Sequence, residues 1–189
     1  MSPPPVTREA RDAVVHSLAE VFRGVGYHGA SMTQLAAATG LGRASLYHRF
    51  PGGKNQMAQE AVEHVHRWFG AIALAPLRES GPVGQRVRRM AAVLREFYAN
   101  GRNSCLLDTM SVAPGAPEHQ PAVRAAFDAW LGAMAAAARE AGLSPAVARQ
   151  RAEDAIIRIE GALVLARISG DTGPFERTLA ELPAILTRR

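Results

Sequence analysis

The chain has 189 residues, 48% of them apolar, a formal charge of +5 and one Cys. That length suits one domain or one and a half, and the apolar share excludes a wholly disordered chain. One Cys excludes an intrachain disulfide framework and a Cys-based zinc site, no apolar run nears the ~20 residues of a membrane span, and residues 1–5 lack the basic and apolar stretches of a secretory leader, so a cytoplasmic protein with no membrane partner is expected.

The pattern throughout is helical, with no alternation that would mark a strand. A first helix is expected over residues 8–25, with Thr7 as N-cap and Ala10, Val14, Leu18, Phe22 and Val25 on one face. Gly26 ends it. A short second helix opens at the Ser31–Gln34 capping box and stops at Gly40. A short third helix carries residues 43–50, and Pro51, Gly52 and Gly53 break the chain. Long helices follow: a fourth over residues 54–75, a fifth over 83–100 and a short sixth over 105–110. A loop through Pro114, Gly115 and Pro117 leads to a seventh over 121–141. Ser144 and Pro145 open an eighth that runs to Ser169. The ninth covers 174–187, with a kink expected at Pro183. The fold class is therefore all-α, with about nine helices. The change from short to long helices near Pro51 divides it into residues 1–53 and residues 54–189.

Charge is unevenly placed. Lys54 is the only Lys, and no acidic residue lies between Glu20 and Glu60, a stretch that holds Arg23, Arg43, Arg49 and Lys54. A basic, acid-free segment suits a polyanion, although heavy Arg usage also follows from a GC-rich genome. Position separates the two. Two short capped helices joined through Gly40-Leu41-Gly42 have the form of a helix-turn-helix, whose second helix enters the major groove. On that helix Leu46 and Phe50 share an inward face, so Arg43, Ala44, Tyr47 and His48 point outward. Arg reads guanine with two hydrogen bonds, Ser45 and His48 suit base edges, and the Ala44 methyl suits thymine. Tyr47 suits a phosphate or sugar, and Lys54 at the head of the next helix suits a phosphate.

These residues resemble those of the TetR family of transcriptional repressors. The resemblance rests on Gly26-Tyr27, on Ser31-Met32-Thr33-Gln34-Leu35-Ala36, on Thr39-Gly40-Leu41 and on Ser45-Leu46-Tyr47-His48-Arg49-Phe50. The longer Pro51-Gly52-Gly53-Lys54 connection is similar to that of LmrA-type repressors, many of which control drug efflux or detoxification. Carried over by position, it implies backbone contacts at Thr33 and Gln34 and base reading at Arg43, Ala44 and Ser45. It further implies phosphate contacts at Tyr47, His48 and Lys54; Arg49 is either a backbone contact or a solvated charge. Gly42 stands where a capping Ser is common and Ala44 where Gly is common.

The resemblance implies a ligand-gated dimer whose fourth helix moves on binding. Large soft side chains of helices four to seven suit a small apolar or aromatic effector: Trp68, Met90, Phe97, Cys105, Met110, Phe127 and Trp130, with Asp108 as a polar handle. Helix eight is apolar on more than one face, so a homodimer interface is expected through Ile156, Ile159, Leu163 and Ile168 with Phe175, Leu179 and Leu182 of the last helix. No Gly-rich phosphate loop follows a strand, and Glu60 with His64 offers two ligands where a metal needs more, so no cofactor, metal or catalytic set is expected. Two functions stand at this point. One is a repressor that binds a palindromic operator in double-stranded DNA and is released by its effector. The other is a helical small-molecule-binding or enzymatic bundle without DNA binding.

Overall fold

The computed structural model describes residues 8–112 and 119–188. The expected N-cap at Thr7 and the loop through Pro114, Gly115 and Pro117 lie outside the described residues. The described residues form nine α-helices and no strand: α1 (Arg8–Gly29), α2 (Met32–Thr39), α3 (Arg43–Arg49), α4 (Gly53–Trp68), α5 (Val83–Phe97), α6 (Leu106–Ser111), α7 (Gln120–Glu140), α8 (Pro145–Ser169) and α9 (Gly173–Thr187). None is long and apolar enough to cross a membrane.

Local signals set most boundaries. Ser31 Oγ accepts from the Gln34 N–H at 3.2 Å while Gln34 Oε1 accepts from the Ser31 N–H at 2.9 Å, closing the capping box of α2. Gly40 ends α2 in the left-handed region at φ 67°. Ser144 caps α8, and Gly170 ends it at φ 71°. At Gly26 the chain turns through φ 67° but resumes one further helical turn to Gly29. The expected end of the first helix is thus a kink. The ninth helix runs unbroken through Pro183.

The fourth helix departs most from expectation. It was expected to reach residue 75, but regular turns stop at Trp68. A π-helical turn, Phe69–Ala73, and a 3₁₀ turn, Ala75–Arg78, follow. Pro76 has no N–H to give, and its ring crowds the carbonyl four residues back, so the ladder must loosen before it. The Leu74 N–H accordingly reaches back to the Phe69 carbonyl at 3.0 Å.

Two apolar cores result. The first joins Leu18 and Phe22 of α1, Leu35 of α2, Leu46 and Phe50 at the end of α3, and Met57 and Ala61 of α4; Met110 of α6 and Val123 of α7 close it. The second joins Met90 and Leu94 of α5, Trp130 and Met134 of α7, Ile159 and Leu163 of α8, and Phe175 and Leu182 of α9. The first half of α4 thus packs with the three N-terminal helices, and its continuation with the second core. Arg11 holds Glu60 in a two-pronged ion pair (2.6–3.1 Å) that ties α1 to α4, and Arg95 with Glu176 (2.9–3.0 Å) ties α5 to α9.

The second core corrects the expected dimer contacts. Ile156, Ile159, Leu163, Phe175, Leu179 and Leu182 are all buried inside the subunit, because α9 lays its apolar stripe against α5 and α8 of the same chain. Among the seven residues only Ile168 is exposed, at 80%. Beyond Val147 near its start, α8 leaves open an apolar stripe of Ile157 (67%), Val164, Leu165 (54%) and Ile168, with exposed Gly161 in the same stripe.

Candidate nucleic-acid interface and effector cavity

The third helix has only seven residues, and its position depends on two of them. Leu46 and the following Phe50 are fully buried under α1 and α2, while Arg43, Ala44, Ser45, Tyr47 and His48 are exposed. Arg49 is half-buried. The burial pattern therefore divides the helix between core and solvent along the expected line. The Arg43 guanidinium donates to Thr33 Oγ1, so two residues expected at DNA already touch and tie the start of α2 to the start of α3. Gln34 has a narrower part to play than expected. Its Oε1 is occupied by the Ser31 N–H and hydroxyl (2.9 and 2.8 Å), which leaves only the amide N–H₂ to reach beyond the cap.

Lys54 sits in the first turn of α4, where N–H groups point out of the helix. Its Nζ lies 4.6 Å from the centroid of the Tyr27 ring, and burial lowers its ammonium from the ordinary value. The Tyr27 hydroxyl donates to Asn55 Oδ1 at 2.5 Å, so the residue after the Gly26 kink anchors the head of α4. Tyr27 also packs on the buried ring of His119, 4.6 Å between centroids.

The eight expected effector contacts do not converge on one pocket. Phe97, Cys105 and Trp130 line a small inner void of about 30 Å³ between α4, α5, α6 and α7. Asp108, Phe127 and Trp130 line a larger cleft of about 300 Å³ between α6, α7 and α8. Trp68 and Phe97 line a third, between α1, α4 and α5. Met90 and Met110 line none of these: each is fully buried as filler of one of the two cores, where a flexible thioether fits irregular gaps. Glu60 belongs to the Arg11 pair, and among the described residues no group of three His, Cys, Asp or Glu side chains is placed to hold a metal ion.

The sequence reading missed Glu160. It lies on α8 at the wall of the cleft between α6, α7 and α8. Burial raises its carboxyl to about 7, opposed by a hydrogen bond with Cys105 and assisted by the nearby Asp108 charge. Cys105 is buried, and that burial, with Glu160 beside it, holds the thiol far above its ordinary range. Such a thiol stays protonated and unreactive. The one available signal for Glu160 was that it is the only acid in the mostly apolar stretch from Ala155 to Leu165, whose one other charge is Arg158.

Similarity to known proteins agrees with this geometry. Residues 15–61 match the model of bacterial regulatory proteins of the tetR family. Residues 82–181 match the LmrA/YxaF-like transcriptional regulator C-terminal domain. The chain belongs to the TetR family. As a TetR-family transcriptional regulator it is a DNA-binding protein. Its relatives include the uncharacterized HTH-type regulator YxaF of Bacillus subtilis, 22% identical over 96% of this chain and 97% of that one. They also include the HTH-type regulator LmrA of Bacillus subtilis, 23% identical over 95% and 98%. Among solved structures, a TetR regulator of Legionella pneumophila superposes with a TM-score of 0.83 at 16% identity, covering 97% of each chain. The TetR-family regulator CifR, as a cysteine mutant complexed with 26-bp double-strand operator DNA, superposes at 0.73 with 23% identity over 99% of each chain.

Proposed function

We propose that this TetR-family regulator is a cytoplasmic, homodimeric repressor that binds a palindromic operator and leaves it on taking up a small apolar or aromatic effector. Residues 1–53 serve as the reading head and residues 54–189 as the effector and dimer body. The observation that carries the reading is the division of α3: Leu46 and Phe50 are fully buried while Arg43, Ala44, Ser45, Tyr47 and His48 are exposed. Arg43, Ala44 and Ser45 read bases; Thr33, Gln34, Tyr47, His48, Arg49 and Lys54 hold the backbone. The operator-DNA complex of CifR, a protein of the same fold, supports double-stranded DNA as the partner. The apolar stripe Ile157, Val164, Leu165 and Ile168 on α8 supports a two-fold partner, because paired subunits would remove it from water.

The cleft between α6, α7 and α8 is the effector's site in this reading, with Phe127 and Trp130 as apolar walls. Trp130 is buried and its Nε1–H has no hydrogen-bond partner, so an effector carrying an acceptor suits it. Two contacts lead from that cleft to the head. Val62 and Val65 of α4 line the adjoining void, and α6 lays its Thr109 carbonyl against Gly26, 2.9 Å from where a β-carbon would stand. A coupling of about 1–3 kcal/mol would change operator affinity 5–150-fold.

Titration against duplex DNA at two salt concentrations tests the reading. About six phosphate contacts give a steep fall in affinity with salt, and a flat, weak response overturns DNA reading by this surface. Arg43→Ala should lower discrimination between operator variants, while Lys54→Ala weakens all sequences alike. Uniform loss in both variants would remove Arg43 from the base readers.

A further inference from the structure

The cleft between α1, α4 and α5 measures about 420 Å³ and shares only Val65 and Phe97 with the inner void beneath the effector cleft. Its wall holds a charged side chain in an unusual state. Arg23 is 7% exposed, yet its Nε is buried without a hydrogen-bond partner. Its ion-pair partner Glu20 stands 3.5 Å away with a half-exposed side chain. The guanidinium lies over the face of Phe97, 4.7 Å from the ring centroid. A buried guanidinium with unfilled donors is costly to leave unmatched, and its planar fork fits a carboxylate.

The remaining walls narrow the ligand. Trp68 is stacked on Phe97 with 5.1 Å between centroids and 19° between planes. Trp68 and Ile72 keep 41% and 46% of their surface open, so the stack can take one more flat ring. His16 and His64, with ring centroids 6.0 Å apart, line the same cleft. Burial lowers His64 from its ordinary value, so near neutral pH it offers hydrogen bonds rather than charge. Glu20 and Glu96 also line the cleft and oppose a second negative group.

We propose that this cleft binds a flat aromatic monocarboxylate, its carboxylate on Arg23 and its ring extending the Trp68–Phe97 stack. Such a ligand bridges α1 of the reading head to α4 and α5 of the body. The site is separate from the effector cleft and does not depend on it.

Calorimetric titration of the full chain, without DNA, compares naphthalene-2-carboxylate with the neutral naphthalene-2-methanol. The carboxylate should bind at least tenfold tighter, and Arg23→Gln should abolish that preference. Glu20→Gln, at a half-exposed position that a folded chain tolerates, should strengthen carboxylate binding several-fold. Trp68→Ala should weaken the carboxylate, and Phe127→Ala in the effector cleft should leave the advantage of acid over alcohol unchanged. Equal binding of acid and alcohol overturns the proposal. So does no binding of either at millimolar concentration, or binding that Phe127→Ala removes and Glu20→Gln leaves alone.

Discussion

Glu160 illustrates how much a single side chain depends on what lies beside it. On sequence alone it is one acid of seventeen. In the fold it faces Cys105 and Asp108, and burial raises its carboxyl from 4.5 to about 7. The folded chain therefore holds a proton that the unfolded chain has lost between those two values. Stability contributed by that proton is complete below pH 4.5 and declines as the pH rises to about 7. Glu160→Gln removes the dependence. Its melting temperature should change less than the parent's between pH 4.5 and 7 and should exceed the parent's at pH 8. Scanning fluorimetry across that range checks this, and parallel curves would show that the carboxyl is not held protonated. Cys105, expected as an effector contact, lines the inner void, where burial holds its thiol protonated.

Among the elements, two glycines with one backbone angle separate what is local from what is not. Gly26 and Gly40 both sit at φ 67°. Both were legible as left-handed turns, because the end of an apolar periodic run calls for Gly, although Gly26 kinks its helix rather than ending it. Nothing lies within 4 Å of a β-carbon at Gly40, whereas at Gly26 the Thr109 carbonyl stands 2.9 Å away. Gly40→Ala should therefore cost about 1–2 kcal/mol, the left-handed penalty alone. Gly26→Ala should cost more, and it should also displace α6 from α1. Denaturant unfolding of the two variants measures the difference, and equal losses would mean that the Thr109 contact yields freely. The same contrast explains the fourth helix. Its apolar spacing continues past Trp68, so periodicity predicts one long helix, but Pro76 loosens the ladder beforehand. The start of α3, with Gly42 as an N-cap that has no side chain to offer, rests on Leu46 and Phe50 and on the Arg43–Thr33 hydrogen bond.

At the scale of the whole molecule the question is which apolar stripe belongs to which partner. Helix α8 is apolar on both sides, and the subunit uses one of them: Ile159 and Leu163 are fully buried beneath α9. Ile157 and Ile168 are left on the surface. Replacing both by Glu should convert a dimer to a monomer in sedimentation and weaken operator binding, with little change in the melting temperature of the dilute chain. Leu163→Ala, a cavity in the core, should instead cost about 2–5 kcal/mol. A double Glu variant that remains dimeric would move the interface away from α8. The reading head reaches the body through α1, α4 and α6, and the three clefts meet those same helices.

What the sequence by itself determined is the set of features decided within one or two helical turns. These are the all-α class, the capping box at Ser31, the left-handed stops, and the division of α3 into Leu46 and Phe50 inside and Arg43, Tyr47 and His48 outside. Each follows from backbone geometry or from 3.6-residue spacing, which adjacent residues set among themselves. Only the tertiary structure decided that six expected dimer contacts lie in the core, that Met90 and Met110 fill cores, and that Arg23 and Glu160 line clefts. Burial and charge environment come from helices far apart in the chain. An apolar stripe carries no mark of whether α9 or a second subunit will cover it.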